Sequence, residues 1–158
     1  MNNLSPGDTI IEIRKGKIIT PFNLKTFGAS GVWALYGIEF NEEKEECLNV
    51  GVSTKEMDKE ILYDVACYLH IDFKRLDKGT EKYINQFNDP HEFLYIKEQQ
   101  LPYLYAYIAT KFPYIRFEYV SSKNTRAVEK EFAHNHHARY WRNGYPFGIK
   151  PVRRKESS

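Results

Sequence analysis

From Gly31 to Ser53 the chain reads GVWALYGIEFNEEKEECLNVGVS, and this segment restricts the fold more than any other. Val32 to Phe40 crowds Val, Trp, Tyr, Ile and Phe together, side chains that fit a pleated, half-buried surface. Asn41-Glu42-Glu43-Lys44-Glu45-Glu46 is an exposed turn, and Cys47 to Val52 resumes as a second strand. Pairing the two antiparallel needs only this short connection. A helix follows directly over Thr54 to His70, where Met57, Ile61, Val65 and Tyr68/Leu69 recur at three- and four-residue intervals and make one apolar stripe. Ser53 or Thr54 can cap it, with Glu56 and Asp58 in the first turn where the helix dipole favours acid.

The remaining segments fit around that unit. DTIIEIRKGKIIT has isoleucines on either side of Arg14-Lys15-Gly16-Lys17, which predicts a hairpin over residues 9–20, Gly16 taking the positive φ of a tight turn. Residues 72–112, punctuated by Gly79 and Asn88-Asp89-Pro90, predict a helical insert of one or two helices. Tyr114 to Val120 alternates in part and predicts a third strand, and Ser121 to Thr125 is a turn and cap before a helix from Arg126 to about Trp141. The expected class is therefore α+β, a small antiparallel three-stranded sheet flanked by helices, rather than a doubly wound parallel sheet. A chain of 158 residues is one domain by length, here residues 1–150 with a basic tail at 151–158.

Several classes are disfavoured. No apolar run approaches the roughly 18–20 residues that span a membrane, and MNNLSPGDTIIEI has no basic flank followed by a long apolar region, so neither a membrane span nor a signal peptide is expected. Cys47 and Cys67 are too few for a disulfide framework or zinc site, and Cys67 reads as a buried reduced thiol; a cytoplasmic protein fits. There is no glycine-rich phosphate loop, and neither Ser53 nor Cys47 has a histidine at a triad spacing. His134 and His137 fall at i and i+3, but an exposed face near a helix C-terminus explains them more simply than a metal site. Tyr103, Tyr105, Tyr107, Tyr114, Phe117 and Tyr119 read first as core and sheet surface, and secondarily as stacking platforms.

Charge points to a partner. From Ala133 to Lys155 there is no Asp or Glu, while Arg139, Arg142, Lys150, Arg153, Arg154 and Lys155 are basic. Without those six, the chain's 23 Lys and Arg fall to 17 against 21 Asp and Glu. A positive C-terminal segment on an acidic body suits a polyanion, so DNA or RNA is the expected partner, with Arg139, Arg142, Arg153 and Arg154 as its candidate contacts.

The order strand, strand, helix, strand, helix, with Gly31-Val32-Trp33 on the first strand and Asn49-Val50-Gly51 on the second, resembles the GIY-YIG nuclease family. The resemblance covers the core elements, not the N-terminal hairpin or the insert. It implies two tripeptides on neighbouring strands, a cation on the following helix, and a glutamate on a later helix holding one Mg²⁺ or Mn²⁺ ion. It places Trp33 and Asn49 where the family carries tyrosines. Lys59 stands at the position of the family's arginine, keeping the charge but losing the two-pronged phosphate contact. Glu129, in Ala127-Val128-Glu129-Lys130-Glu131-Phe132, matches the metal-binding glutamate, with Glu131 as runner-up because Asn143 lies twelve residues beyond it. Neither indole nor amide can take a proton from water. Tyr36 points to the opposite face from Trp33, so Tyr63, one turn beyond Lys59, is the candidate substitute base. The implied activity is metal-dependent cleavage of nucleic-acid phosphodiesters; the alternative is a binding module on the same scaffold that has lost catalysis.

Overall fold

A computed structural model describes residues 4–69 and 101–141, except the side chains of residues 101–103, 106 and 107. Strand β1 (Thr9–Arg14) folds back onto β2 (Lys17–Thr20) through Lys15 and Gly16, both at positive φ (51° and 77°), which matches the twist of a two-residue hairpin. Strands β3 (Gly31–Ile38) and β4 (Glu46–Ser53) form the second hairpin, and β5 (Tyr114–Ser121) lies between the two. The result is a five-stranded sheet in the order β2-β1-β5-β3-β4, with every pairing antiparallel.

The class is α+β as expected, but the sheet is larger than the three strands predicted. The N-terminal hairpin is part of it, because β1 pairs with β5 from Thr9↔Glu118 to Arg14↔Tyr114. The reason is burial: Ile10, Ile11 and Ile13 are each no more than 2 % exposed. Burying each is worth about 1.5–3 kcal/mol, which a detached hairpin would forfeit.

Three α-helices complete the described fold: α1 (Met57–Tyr68), α2 (Leu101–Lys111) and α3 (Arg126–Asn135). On one face of the sheet Trp33, Leu35, Leu48, Ile115 and Phe117 pack with Ile61 and Val65 of α1 and Leu104, Tyr105 and Ile108 of α2. On the other, Val32, Ala34, Cys47 and Val50 pack with Ala133 of α3, Ala138 and Trp141. A bulge opposite Leu35/Tyr36 sets this division, since it turns Leu48 and Asn49 to the first face and Cys47 to the second.

Both long-helix boundaries differ from the sequence expectation. Helix α1 begins at Met57, and its N-cap Glu56 makes no side-chain capping bond. Ser53 stays in β4 and donates its hydroxyl to Glu60 instead. Helix α3 stops at Asn135, not near Trp141, because His137 takes φ 54° and Ala138 N–H bonds back to Ala133 C=O at 2.9 Å, a left-handed C-terminal stop. Of the helical insert, α2 is described and residues 72–100 lie outside the described residues, as does the basic tail. Among the described residues no helix is long and apolar enough to cross a membrane. Cys47 and Cys67 are free and buried, and burial pushes the Cys47 thiol up to about 12.

Glu12 ties the N-terminal hairpin to the sheet, since its carboxylate accepts the Thr20 hydroxyl from β2 and the Tyr114 hydroxyl from β5. These two bonds hold its pKa below the ordinary 4.5. A depressed carboxylate contributes stability that is present above the unfolded value and lost as pH falls through the folded one. Glu12→Gln should therefore lower the denaturation midpoint at neutral pH and flatten its fall in acid. Urea titrations at neutral and acidic pH check this, and an unchanged acid slope would exclude the clasp.

Candidate functional site

Strand β4 is an edge of the sheet, and a cleft of about 410 Å³ opens beside it, walled by α1 on one side and α3 on the other. Trp33, Asn49, Lys59, Tyr63 and Glu129 all line this cleft.

The strand wall is built by Trp33 and Gly51, partners across β3 and β4. The indole lies over Gly51 so closely that a Cβ there would fall 2.2 Å from Cζ2 and 2.9 Å from Nε1. Phe117 holds the same ring edge-on at 5.3 Å. Gly31 has φ +140°, and a Cβ there would meet the Ser121 carbonyl oxygen at 2.2 Å. Both tripeptide glycines are thus required by packing, one against an indole and one against backbone. Tyr36 lies on the opposite face, under the Arg116 guanidinium, as period-two alternation predicts. The Trp33 Nε1–H is buried and has no hydrogen-bond partner among the described residues.

Helix α1 brings two expected residues and two that sequence reasoning missed. Lys59 sits at the mouth, 74 % exposed, with Nζ 2.9 Å from Glu56 Oε1. Tyr63 is more than half exposed and shares a hydrogen bond with Cys67; burial is the main cause that pushes its phenol up. The missed residues are Glu60 and Asp64. Asp64 is buried and accepts the hydroxyl of Tyr105, which in turn accepts Asn49 Nδ2–H at 3.4 Å. Burial, with the Glu60 carboxylate adding to it, pushes Asp64 well above the usual carboxylate range. The available signal was Asp64 itself, an acid set between Ile61 and Val65 beside the apolar stripe of α1.

Helix α3 supplies Glu129. Thr125 caps the helix by accepting Val128 N–H at 3.2 Å, which puts Glu129 in the first turn, where the dipole favours a carboxylate. Glu129 is 3 % exposed; Trp141 Nε1–H donates to its Oε2 at 3.1 Å, and Arg126 Nη1 lies 3.6 Å from its Oε1. Oε1 is buried and accepts no hydrogen bond among the described residues. The stop at His137 is what returns Trp141, twelve positions on, to this carboxylate. Glu131 is exposed and does not line the cleft.

The basic segment is only partly described. Arg139 is held by Glu46 at 3.2 Å and Glu39 at 3.4 Å, over the Tyr140 ring, and does not line the cleft. Arg142, Arg153, Arg154 and Asn143 lie outside the described residues. His136 stacks on Phe132 at 3.8 Å, His134 meets Trp141 edge-on, and His137 is already past the helix. Tyr105, Tyr114, Phe117 and Tyr119 are buried; the side chains of Tyr103 and Tyr107 lie outside the described set.

Glu129 Oε1 is a hard oxygen of the type that Mg²⁺ and Mn²⁺ take; among the described residues it accepts no hydrogen bond and is ion-paired with Arg126 at 3.6 Å. No group of three or more His, Cys, Asp or Glu among the described residues could hold an ion by itself. One protein ligand with water and phosphate oxygens completing the shell suits Mg²⁺, which usually keeps several waters.

No protein-family model, curated protein or solved structure matches this chain.

Proposed function

We propose that the cleft binds a nucleic-acid phosphodiester and that the protein is a divalent-metal-dependent endonuclease of the GIY-YIG kind. One observation carries this reading: Trp33, Asn49, Lys59 and Glu129, the positions singled out by the resemblance, line a single cleft together with Tyr63, the candidate substitute base. Lys59 and Arg126 supply positive charge toward the phosphate. Among the described residues Lys59 is held by an exposed pair with Glu56, so exchanging that partner for a phosphate oxygen costs little. Glu129 would hold the ion through Oε1. A bound ion would stabilise charge on the phosphoryl oxygens and leaving group. Trp33, pinned between Gly51 and Phe117, gives the cleft a rigid wall against which a substrate can be oriented.

The test is incubation of supercoiled plasmid and single-stranded DNA and RNA with the full chain in Mn²⁺, Mg²⁺ or EDTA. Nicking that requires a divalent ion is expected. Intact substrates under every condition would overturn the endonuclease reading. A second reading, binding without cleavage, is favoured by the engagement of Glu129 with Trp141 and Arg126, which neutralises the carboxylate without a metal. Its signature is nucleic-acid affinity that survives EDTA and falls steeply with salt.

A further inference from the structure

A group that takes a proton from the attacking water typically accelerates hydrolysis by about 10²–10⁴-fold, and the family's tyrosine positions hold Trp33 and Asn49. Tyr63 fills the gap poorly, since its hydroxyl is engaged with Cys67 and its phenol is held protonated beyond the ordinary range. The cleft wall offers another group. Asp64 lines it, with Tyr105 donating its hydroxyl to the carboxylate and Asn49 donating to Tyr105. Asn49 therefore contributes at one remove: it fixes the hydroxyl that fixes the acid. Two further atoms mark the place as one completed by a ligand. Among the described residues, Trp33 Nε1–H donates no hydrogen bond and Glu129 Oε1, ion-paired to Arg126 at 3.6 Å, accepts none; both belong to residues at least 97 % buried on the same cleft.

Resting on the endonuclease reading, we infer that Asp64 is the general base of this site, with Tyr105 and Asn49 as its positioning residues. One Asp64 carboxylate oxygen takes a proton from a water molecule while that water's oxygen bonds to phosphorus. The phosphorus–oxygen bond to the leaving sugar breaks with its electron pair, and the departing oxygen takes a proton from solvent. The groups facing Asp64 are Glu60, Tyr63 and Cys67 from α1 and Tyr105 from α2. Burial and the Glu60 carboxylate raise its proton affinity above that of an ordinary carboxylate, which makes it a stronger base. Tyr105 opposes that rise.

The experiment is a pH–rate profile of plasmid nicking in Mn²⁺ between about pH 5 and 9, with binding of a fluorescent single-stranded oligonucleotide measured in EDTA. The wild-type rate should climb with pH to a plateau, with a midpoint above the ordinary carboxylate range. Asp64→Asn should lower the plateau by about 10²–10⁴-fold while oligonucleotide affinity stays within about twofold. Tyr105→Phe removes the bond that stabilises the charged form, so its midpoint should move to higher pH; a purely structural residue would lower the rate without moving the midpoint. That shift is also the decisive result if Asp64→Asn fails to fold. An Asp64→Asn rate within about tenfold of wild type, or a Tyr105→Phe midpoint equal to wild type, overturns the assignment of Asp64 and leaves the endonuclease reading standing. A wild type that never cleaves overturns the endonuclease reading and the base assignment together.

Discussion

Glu129→Gln is expected to reduce metal-stimulated cleavage by roughly 10²-fold or more, because charge stabilisation by a bound ion is worth several kcal/mol and each 1.4 kcal/mol is tenfold. Glutamine keeps an oxygen to accept Trp141 Nε1–H, so the α3 wall survives while the anionic ligand is lost. Alanine is a blunter variant: it would strand a buried indole N–H, at about 1–3 kcal/mol, and confuse stability with function. Calorimetric titration of Mn²⁺ gives the parallel readout, with heat in wild type and none in Glu129→Gln. Glu131→Ala, exposed and away from the cleft, should match wild type in both assays. Undiminished cleavage by Glu129→Gln would remove Glu129 from the metal position.

The second large effect is on folding. In Gly51→Ala the new methyl would overlap the Trp33 indole at 2.2 Å, and Phe117 restrains the ring from retreating. Overpacking of this sort costs about 1–3 kcal/mol. Gly31→Ala should be worse, roughly 3 kcal/mol or more, because a backbone strained by positive φ adds to a clash with the Ser121 carbonyl, which cannot move without breaking the β3–β5 ladder. The two sites separate in a double variant. Trp33→Leu vacates the space over Gly51, so Gly51→Ala should cost less in that background, whereas Gly31→Ala should cost the same in both. Chemical denaturation of the four proteins in each cycle checks this; an additive Trp33/Gly51 cycle would show that the indole does not require that glycine.

Much of the candidate site was legible because each residue belongs to a locally specified element. Lys59 and Tyr63 are one turn apart on a helix whose stripe is visible in the sequence, and Glu129 follows a capping threonine by four positions. The engagement of Glu129 was not legible by spacing. It depended on Trp141, which reaches Glu129 only because His137 ends the helix, and no periodicity announces a non-glycine residue in the left-handed region. Asp64 was overlooked for a similar reason. An acid beside an apolar stripe is visible, but its hydroxyl partner comes from Tyr105, across an insert of weak periodicity.

By itself, then, the sequence determined the local elements. β-branched and aromatic crowding specified β3, β4 and β5, three- and four-residue apolar spacing specified α1, and Lys15-Gly16 specified the first turn. These follow from interactions within a few residues. The tertiary structure alone decided that the N-terminal hairpin extends the sheet, that a bulge divides Leu48 and Asn49 from Cys47, and that α1 and α3 meet across the β4 edge. Each of those outcomes is a competition among distant partners for the same buried surface and the same backbone hydrogen bonds, and a residue's own neighbours in sequence do not carry that information.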